Sequence, residues 1–276
     1  MNKKFYALDE SIPEHECCIK EIKKIEIFVY FDPFDPNCWE LERYMKKLSF
    51  EYDHIVRIRR VLLPSIKVLT KCQAQATETF DNIAFAMKAA ELQGTKYGDL
   101  FIHHIFKNLN VEHKVLTTEK IKKCAQLAGL DIQEFEDDIR SNLMTPALKT
   151  DQQMALEMDV DSAPTVVFFG GCDTDEGIKV EGIYDYSVYT YIISNLFDYE
   201  LEKKLAPSLL DYIKMHKIVS EKDIMTLYDW DEQITARELK KLNLQKHVTY
   251  FVGRDQLTYW KLNNVSVSYT HLRAHE

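Results

Sequence analysis

Residues 24–62 constrain the fold of this 276-residue chain more than any other stretch. "KIEIFVYFD" is mostly apolar, β-branched and aromatic, the pattern of a buried strand, and an Asp-Pro pair ends it. Pro36 then stands where a helix starts. In "PNCWELERYMKKLSF" the apolar residues Trp39, Leu41, Tyr44, Met45 and Leu48 recur mainly at spacings of three and four, which predicts a helix. "HIVRIRRVLL" alternates enough to be a second strand. Strand, helix and strand in this order make a β-α-β unit, with parallel strands and a right-handed crossover.

The rest of the chain completes that unit. "KVLTKCQAQATETFDNIAFAMKAAELQG" is Ala-rich and free of Pro, and Gly94 stops it. "GDLFIHHIFKNLN" carries a helical apolar stripe; "TTEKIKKCAQLAG" starts on a Thr cap and ends on Gly129, and "DIQEFEDDIRSNL" starts on Asp131. "TPALKTDQQMALEMDV" supplies the last helix of the series. The period then changes: "APTVVFF" and "IKVEGIY" are strands and "DYSVYTYIISNLFDYELEKKL" a helix. The order β-α-β, helices, β-β-α is that of a thioredoxin-type α/β sheet with an all-helical insertion. The expected domain spans residues 24–200, with the insertion at about 67–158.

A polar leader, 1–23, precedes it. Residues 206–263 form a second unit of different character: short helices "PSLLDYIKMHKIV", "SEKDIMTLYD" and "ITARELKKLNLQ", then two strands joined at Gly253, Arg254 and Asp255. Three helices and a hairpin predict a small α+β, winged-helix-like module. Residues 265–276 break the pattern, and "SYTHLRAHE" reads as translated vector or adaptor sequence rather than native protein.

Composition narrows the function classes. A net charge of −9 disfavours general binding to nucleic-acid phosphates. No apolar run reaches the roughly 18 residues that a membrane span needs, and the N-terminus lacks the apolar core of an export signal. Six scattered cysteines are too few for a disulfide-stapled secreted fold, which points to reduced thiols in a cytoplasm.

The candidate chemistry sits in "DPNC", residues 35–38. A thioredoxin-fold oxidoreductase places its attacking cysteine at a helix N-terminus, where free N–H groups lower the thiol pKa, and a second cysteine resolves the mixed disulfide one turn later. Here the first position is Asp35. It can cap the helix, but a carboxylate cannot attack a disulfide. Cys38 is expected to be a packed, inert thiol. "DSAPTVVFF" adds Pro164, the candidate cis proline before the third strand. Asp35, Pro36, Cys38, Trp39, Ala163, Pro164 and Thr165 are therefore expected to form a partner-binding groove without redox activity, with Trp39 as either a contact or core filler.

Other features carry less. His15, Cys17 and Cys18 are weak zinc candidates, since a tetrahedral site needs a fourth ligand and adjacent cysteines rarely bind one ion. His103 and His104 occupy neighbouring helical positions and point to different faces. Phosphate-loop, serine-hydrolase and Rossmann fingerprints are absent. The basic residues of "ITARELKKLNLQKH" read as a solvated face, with DNA binding by the terminal module as the rival.

"KIEIFVYFDPFDPNCWELE", "RIRRVLLPSIKVLTKCQAQATETFDNIAFAMKAAELQG", "SAPTVVFF" and "KVEGIYDYSVYTYIISNL" closely resemble, in order and spacing, the staphylococcal-type form of the Firmicute YjbH/SpxH family. The similarity runs from about Lys24 to Asn263. It implies a cytoplasmic, non-enzymatic adaptor whose DsbA-like domain binds the stress regulator Spx and promotes its degradation by the ClpXP protease, within the response to disulfide stress. It implies no cofactor, no nucleic acid and no membrane. Some members of that family carry the full C-P-x-C and a zinc-binding His/Cys leader; this chain has Asp35 and only His15, Cys17 and Cys18. The alternative activity is a glutathione-dependent enzyme of the kappa type, or a weak thiol-disulfide oxidoreductase.

Overall fold

The computed structural model describes residues 24–63, 76–112, 116–170, 177–197, 201–253 and 256–263. His15, Cys17, Cys18, Cys72, Cys172, the Arg254-Asp255 turn and the tail at 265–276 lie outside them.

The chain runs β1 (Ile25–Phe31), α1 (Pro36–Glu51), β2 (Val56–Leu62), then five helices: α2 (Ala76–Leu92), α3 (Thr95–Glu112), α4 (Thr118–Ala128), α5 (Ile132–Arg140) and α6 (Met144–Glu157). β3 (Thr165–Phe169), β4 (Ile178–Glu181) and α7 (Tyr186–Asn195) follow. The sheet order is β2-β1-β3-β4, with β1 parallel to β2 and antiparallel to β3, and β3 antiparallel to β4. This is the expected thioredoxin-type sheet, its β-α-β and β-β-α halves separated by helices.

β1 is central, which is why its sequence is apolar without alternation. Ile25, Ile27 and Val29 face Leu41, Met45 and Leu48 of α1 and Ile192 and Ile193 of α7. Phe28 and Tyr30 turn the other way, to Val61, Val167 and Ala155 of α6. β2 lies at the edge and alternates accordingly, with Arg57 and Arg59 exposed. The inserted helices enclose their own core around Met87, Phe101, Ile105 and Phe135, and Phe31 and Cys38 join it from the sheet side. Caps fall where the sequence places them: Thr117 accepts from Lys120 N–H, Asp131 from Glu134 N–H, and Gly129 at φ 83° closes α4 in the left-handed region.

After residue 201 come α8 (Leu209–His216), β5 (Ile218–Ser220), α9 (Glu221–Tyr228), α10 (Glu232–Leu244), β6 (Val248–Val252) and β7 (Thr258–Leu262). One expectation is corrected here. "PSLLDYIKMHKIV" is not helical to its end: α8 stops at Lys217, whose φ is 62°, and Ile218–Ser220 pair with β7. The second sheet is thus three-stranded, β5-β7-β6. The β-branched Ile218 and Val219 favour the strand, and pairing buries Val219 completely.

This unit packs on the back of α1. Phe50 joins its core, meeting Tyr212 and His216 at ring-centroid distances of 6.0 and 6.4 Å.

Candidate functional site

The Asp-Pro turn after β1 aims α1 outward from the end of the sheet. Asp35 is its N-cap, and its Oδ1 accepts from Asn37 N–H at 2.8 Å. Pro36 at the first helical position lacks the N–H that would go unsatisfied there. Cys38 points inward. Its Sγ accepts from Asp32 N–H at 3.3 Å and only 2% of the residue is exposed. Trp39 is half-buried: its indole N–H donates to Pro33 O at 2.8 Å and its ring leans on Phe106 at 6.3 Å.

The Ala163–Pro164 peptide is cis. Pro164 O accepts from Gly182 N–H at 2.8 Å, whereas the Ala163 main chain makes no hydrogen bond among the described residues. Ala163, Phe34 and Trp39 pack against the same core cluster that contains Cys38, so the structure brings the two candidate segments together. Their exposure is uneven. Pro36 is open to solvent and Asp35, Trp39 and Ala163 partly so, while Cys38, Pro164 and Thr165 are buried; the Thr165 hydroxyl donates to Ser162 O at 2.8 Å. Any partner at this surface meets the first four.

The electrostatics oppose thiol chemistry. Burial pushes the Cys38 thiol up to about 12; the Asp32 N–H works the other way, but the carboxylates of Asp35, Asp32 and Glu42 reinforce the rise. At pH 7 roughly one such thiol in 10⁵ is ionised. The attacking cysteine of an oxidoreductase needs the opposite shift. Cys38 and Cys124, the two cysteines among the described residues, are both buried. No cluster of three or more metal-ligating side chains occurs among the described residues, and His15, Cys17 and Cys18 fall outside them.

Sequence reasoning missed a buried polar seam between α1, α3 and the C-terminal unit. Asp223 of α9, 6% exposed, accepts from Arg43 Nε at 3.1 Å, from Lys107 Nζ and from Ser220 N–H at 2.8 Å. Lys46 Nζ meets His103 Nδ1, and His103 Nε2 lies 3.1 Å from Ile218 O, so a proton on Nε2 ties α3 to β5. The His216 ring meets that of His103 at 4.7 Å, tilted by 60°. His103 and His104, neighbours on α3, also have their rings in contact at 5.3 Å, and both are buried. Burial, then the Lys46 charge, holds His103 well below the usual histidine range and His104 at about 4. A small cavity of about 20 Å³, room for one water, lies between Trp39, Arg43, Lys46, His103 and Asp223. The signal was faint but present: Arg43, Lys46 and Lys47 flank the apolar stripe of α1, and Phe50 extends it, which suits a helix buried on more than one side.

Comparison with known proteins decides the lineage. Over 230 residues, 83% of the chain, it is 44% identical to the ClpXP adapter protein SpxH of Staphylococcus aureus, and covers 88% of that protein. The chain belongs to the SpxH family. The SpxH of S. aureus strain USA300 matches at the same identity, with 86% of its length covered. Residues 28–191 also match the thioredoxin family. A solved structure from Nitrosomonas europaea, a protein disulfide isomerase candidate, superposes on 63% of the chain and 97% of its own length with a TM-score of 0.52. At 12% identity it supports the fold alone. The helix start where a thioredoxin-fold oxidoreductase bears its thiolate is capped here by Asp35.

Proposed function

We propose that this chain is a ClpXP adaptor that binds the transcription regulator Spx and promotes its degradation, without being an enzyme itself. The observation that carries the reading is the 44% identity to SpxH over 83% of the chain. The site geometry supports the non-enzymatic part. The thioredoxin cradle is retained, but its first position is a capping carboxylate and its remaining thiol is buried and pushed to about 12. Neither disulfide exchange nor activation of a glutathione thiolate has a suitable group there, whereas docking needs only shape and unpaired backbone.

In this reading, Asp35, Pro36, Trp39 and the main chain of Ala163 form the client-binding face, and Cys38, Pro164 and Thr165 hold it in shape from beneath. An adaptor acts by raising the local concentration of client at the protease, which places the protein in the cytoplasm with Spx and ClpX/ClpP. Among the described residues no helix is long and apolar enough to cross a membrane. The test is titration of labelled Spx with the full chain and with a variant carrying Asp35→Lys and Pro36→Arg. We expect binding by the wild type and at least tenfold weaker binding by the variant. Equal affinities would move the client elsewhere, and no binding at all would remove Spx as the client.

A further inference from the structure

β2 is an edge strand, and parallel pairing fixes the direction of its main-chain groups. Ile25 N–H donates to Ile55 O at 2.7 Å at one end of the ladder, and Leu63 N–H to Phe31 O at 2.9 Å at the other. The odd-numbered residues of β2 therefore face β1, and Val56, Ile58, Arg60 and Leu62 turn their N–H and C=O groups outward. The ends of that outer edge are occupied: Val56 N–H donates to Tyr52 O at 2.9 Å and Leu62 N–H to Asp151 Oδ2 at 3.1 Å. Between them, the N–H groups of Ile58 and Arg60 have no partner among the described residues.

A groove of about 400 Å³ runs beside this edge, walled by α2, α3 and α6. Its floor is charge-matched. Lys88 holds Asp151 at 2.7 Å and Glu91 at 2.9 Å, and Arg60 pairs with Glu42 at 3.0 Å and with Asp99. Its rim is not. Arg57 reaches Glu26 only loosely, at 3.8 Å, and Arg59 lies over the Phe28 ring with no ion-pair partner among the described residues. Leu92 and Leu143 stand 57% and 62% exposed along the same groove.

Exposed charge on an edge strand deters pairing between like copies. Two arginines repel a second copy of β2 but attract a strand of opposite sign. We propose that this groove docks an extended acidic segment of a partner protein, which adds to β2 as a further strand. Its backbone pairs with Ile58 and Arg60, its carboxylates meet Arg57 and Arg59, and its apolar side chains cover Leu92 and Leu143. This is strand addition, in which main-chain bonds supply affinity and alternate side chains supply selectivity. It does not depend on which client the start of α1 takes.

The probe is a fluorescein-labelled octapeptide alternating Glu and Val, titrated into the full chain at low salt and followed by anisotropy. Saturable binding is expected, with slowed hydrogen exchange at the Ile58 and Arg60 amides. Arg57→Glu with Arg59→Glu should weaken binding at least tenfold. Leu143→Glu, at an exposed position, should weaken it independently, and a Lys-Val peptide should not bind. No binding, equal binding of the Lys-Val peptide, affinity unchanged in the arginine variant, or protection confined to other segments would each overturn the proposal.

Discussion

Replacing Asp223 with Ala should loosen the C-terminal unit from the thioredoxin sheet. The carboxylate does three things at once: it accepts from Arg43 at 3.1 Å, it accepts from Lys107, and it caps the start of α9 through Ser220 N–H at 2.8 Å. Loss of a cap costs about 1 kcal/mol. The larger effect is that the Arg43 and Lys107 side chains, 11% and 10% exposed, lose the buried carboxylate they share, while Arg43 keeps only the more exposed Glu40. Breaking a buried pair from one side costs about 3–5 kcal/mol. The effects share atoms and do not add, so about 4 kcal/mol is expected for the variant. Urea unfolding followed by tryptophan fluorescence reads it, because Trp230 and Trp260 belong to or pack against the C-terminal core. Adding Arg43→Met to the Asp223→Ala chain should recover part of the loss by removing a buried charge whose remaining partner, Glu40, is 40% exposed. A loss below about 1 kcal/mol, or no recovery in the double variant, would show that water reaches the seam and that these contacts do not hold the units together.

Three other outcomes follow from the same contacts. Cys38 in the folded chain should resist iodoacetamide at pH 8 on a timescale of hours and react promptly in urea, since burial pushes its thiol to about 12; rapid labelling of native protein, read by peptide mass, would contradict this. Stability should fall on acidification below about pH 6.5. His104 is held at about 4 by burial and then by Lys46, so the folded state takes up its proton later than the unfolded chain does. A histidine depressed in this way contributes stability that is complete above 6.5 and lost as pH falls toward 4, about 3 kcal/mol in all. Thermal midpoints that are flat from pH 7 to pH 5 would refute the buried neutral state. Asp35→Cys should give "CPNC" and raise insulin reduction above that of the wild type, because the cap position is where an attacking thiol belongs; equal rates in the two proteins would mean the cradle no longer presents that position to a disulfide.

Much of the fold was legible because its signals are local. The near-continuous apolarity of Ile27–Phe31 marks a central strand, Asp35-Pro36 a helix start, and Thr117, Gly129 and Asp131 the caps and stops of the inserted helices. The Asp35 helix start was legible for the same reason, since a missing cysteine at a fixed offset from Cys38 is visible in the letters alone. What sequence did not reveal depends on long-range pairing. β5 is three residues long and exists because β7 lies beside it. Asp223 reads as an ordinary capping-box residue until Arg43 and Lys107, more than a hundred positions away, arrive on the same atom pair. Thr165 was expected at the binding face, yet its hydroxyl is turned to Ser162 and buried, which no local pattern signals.

The central claim is that a thioredoxin cradle without its nucleophile works here as a delivery surface. Its most direct measurement is the turnover of purified Spx by purified ClpXP, with the full chain present or absent. The account predicts faster loss of Spx when the chain is added, and the same acceleration with Cys38→Ser. Unchanged turnover, or acceleration abolished by removing that one sulfur, would contradict it.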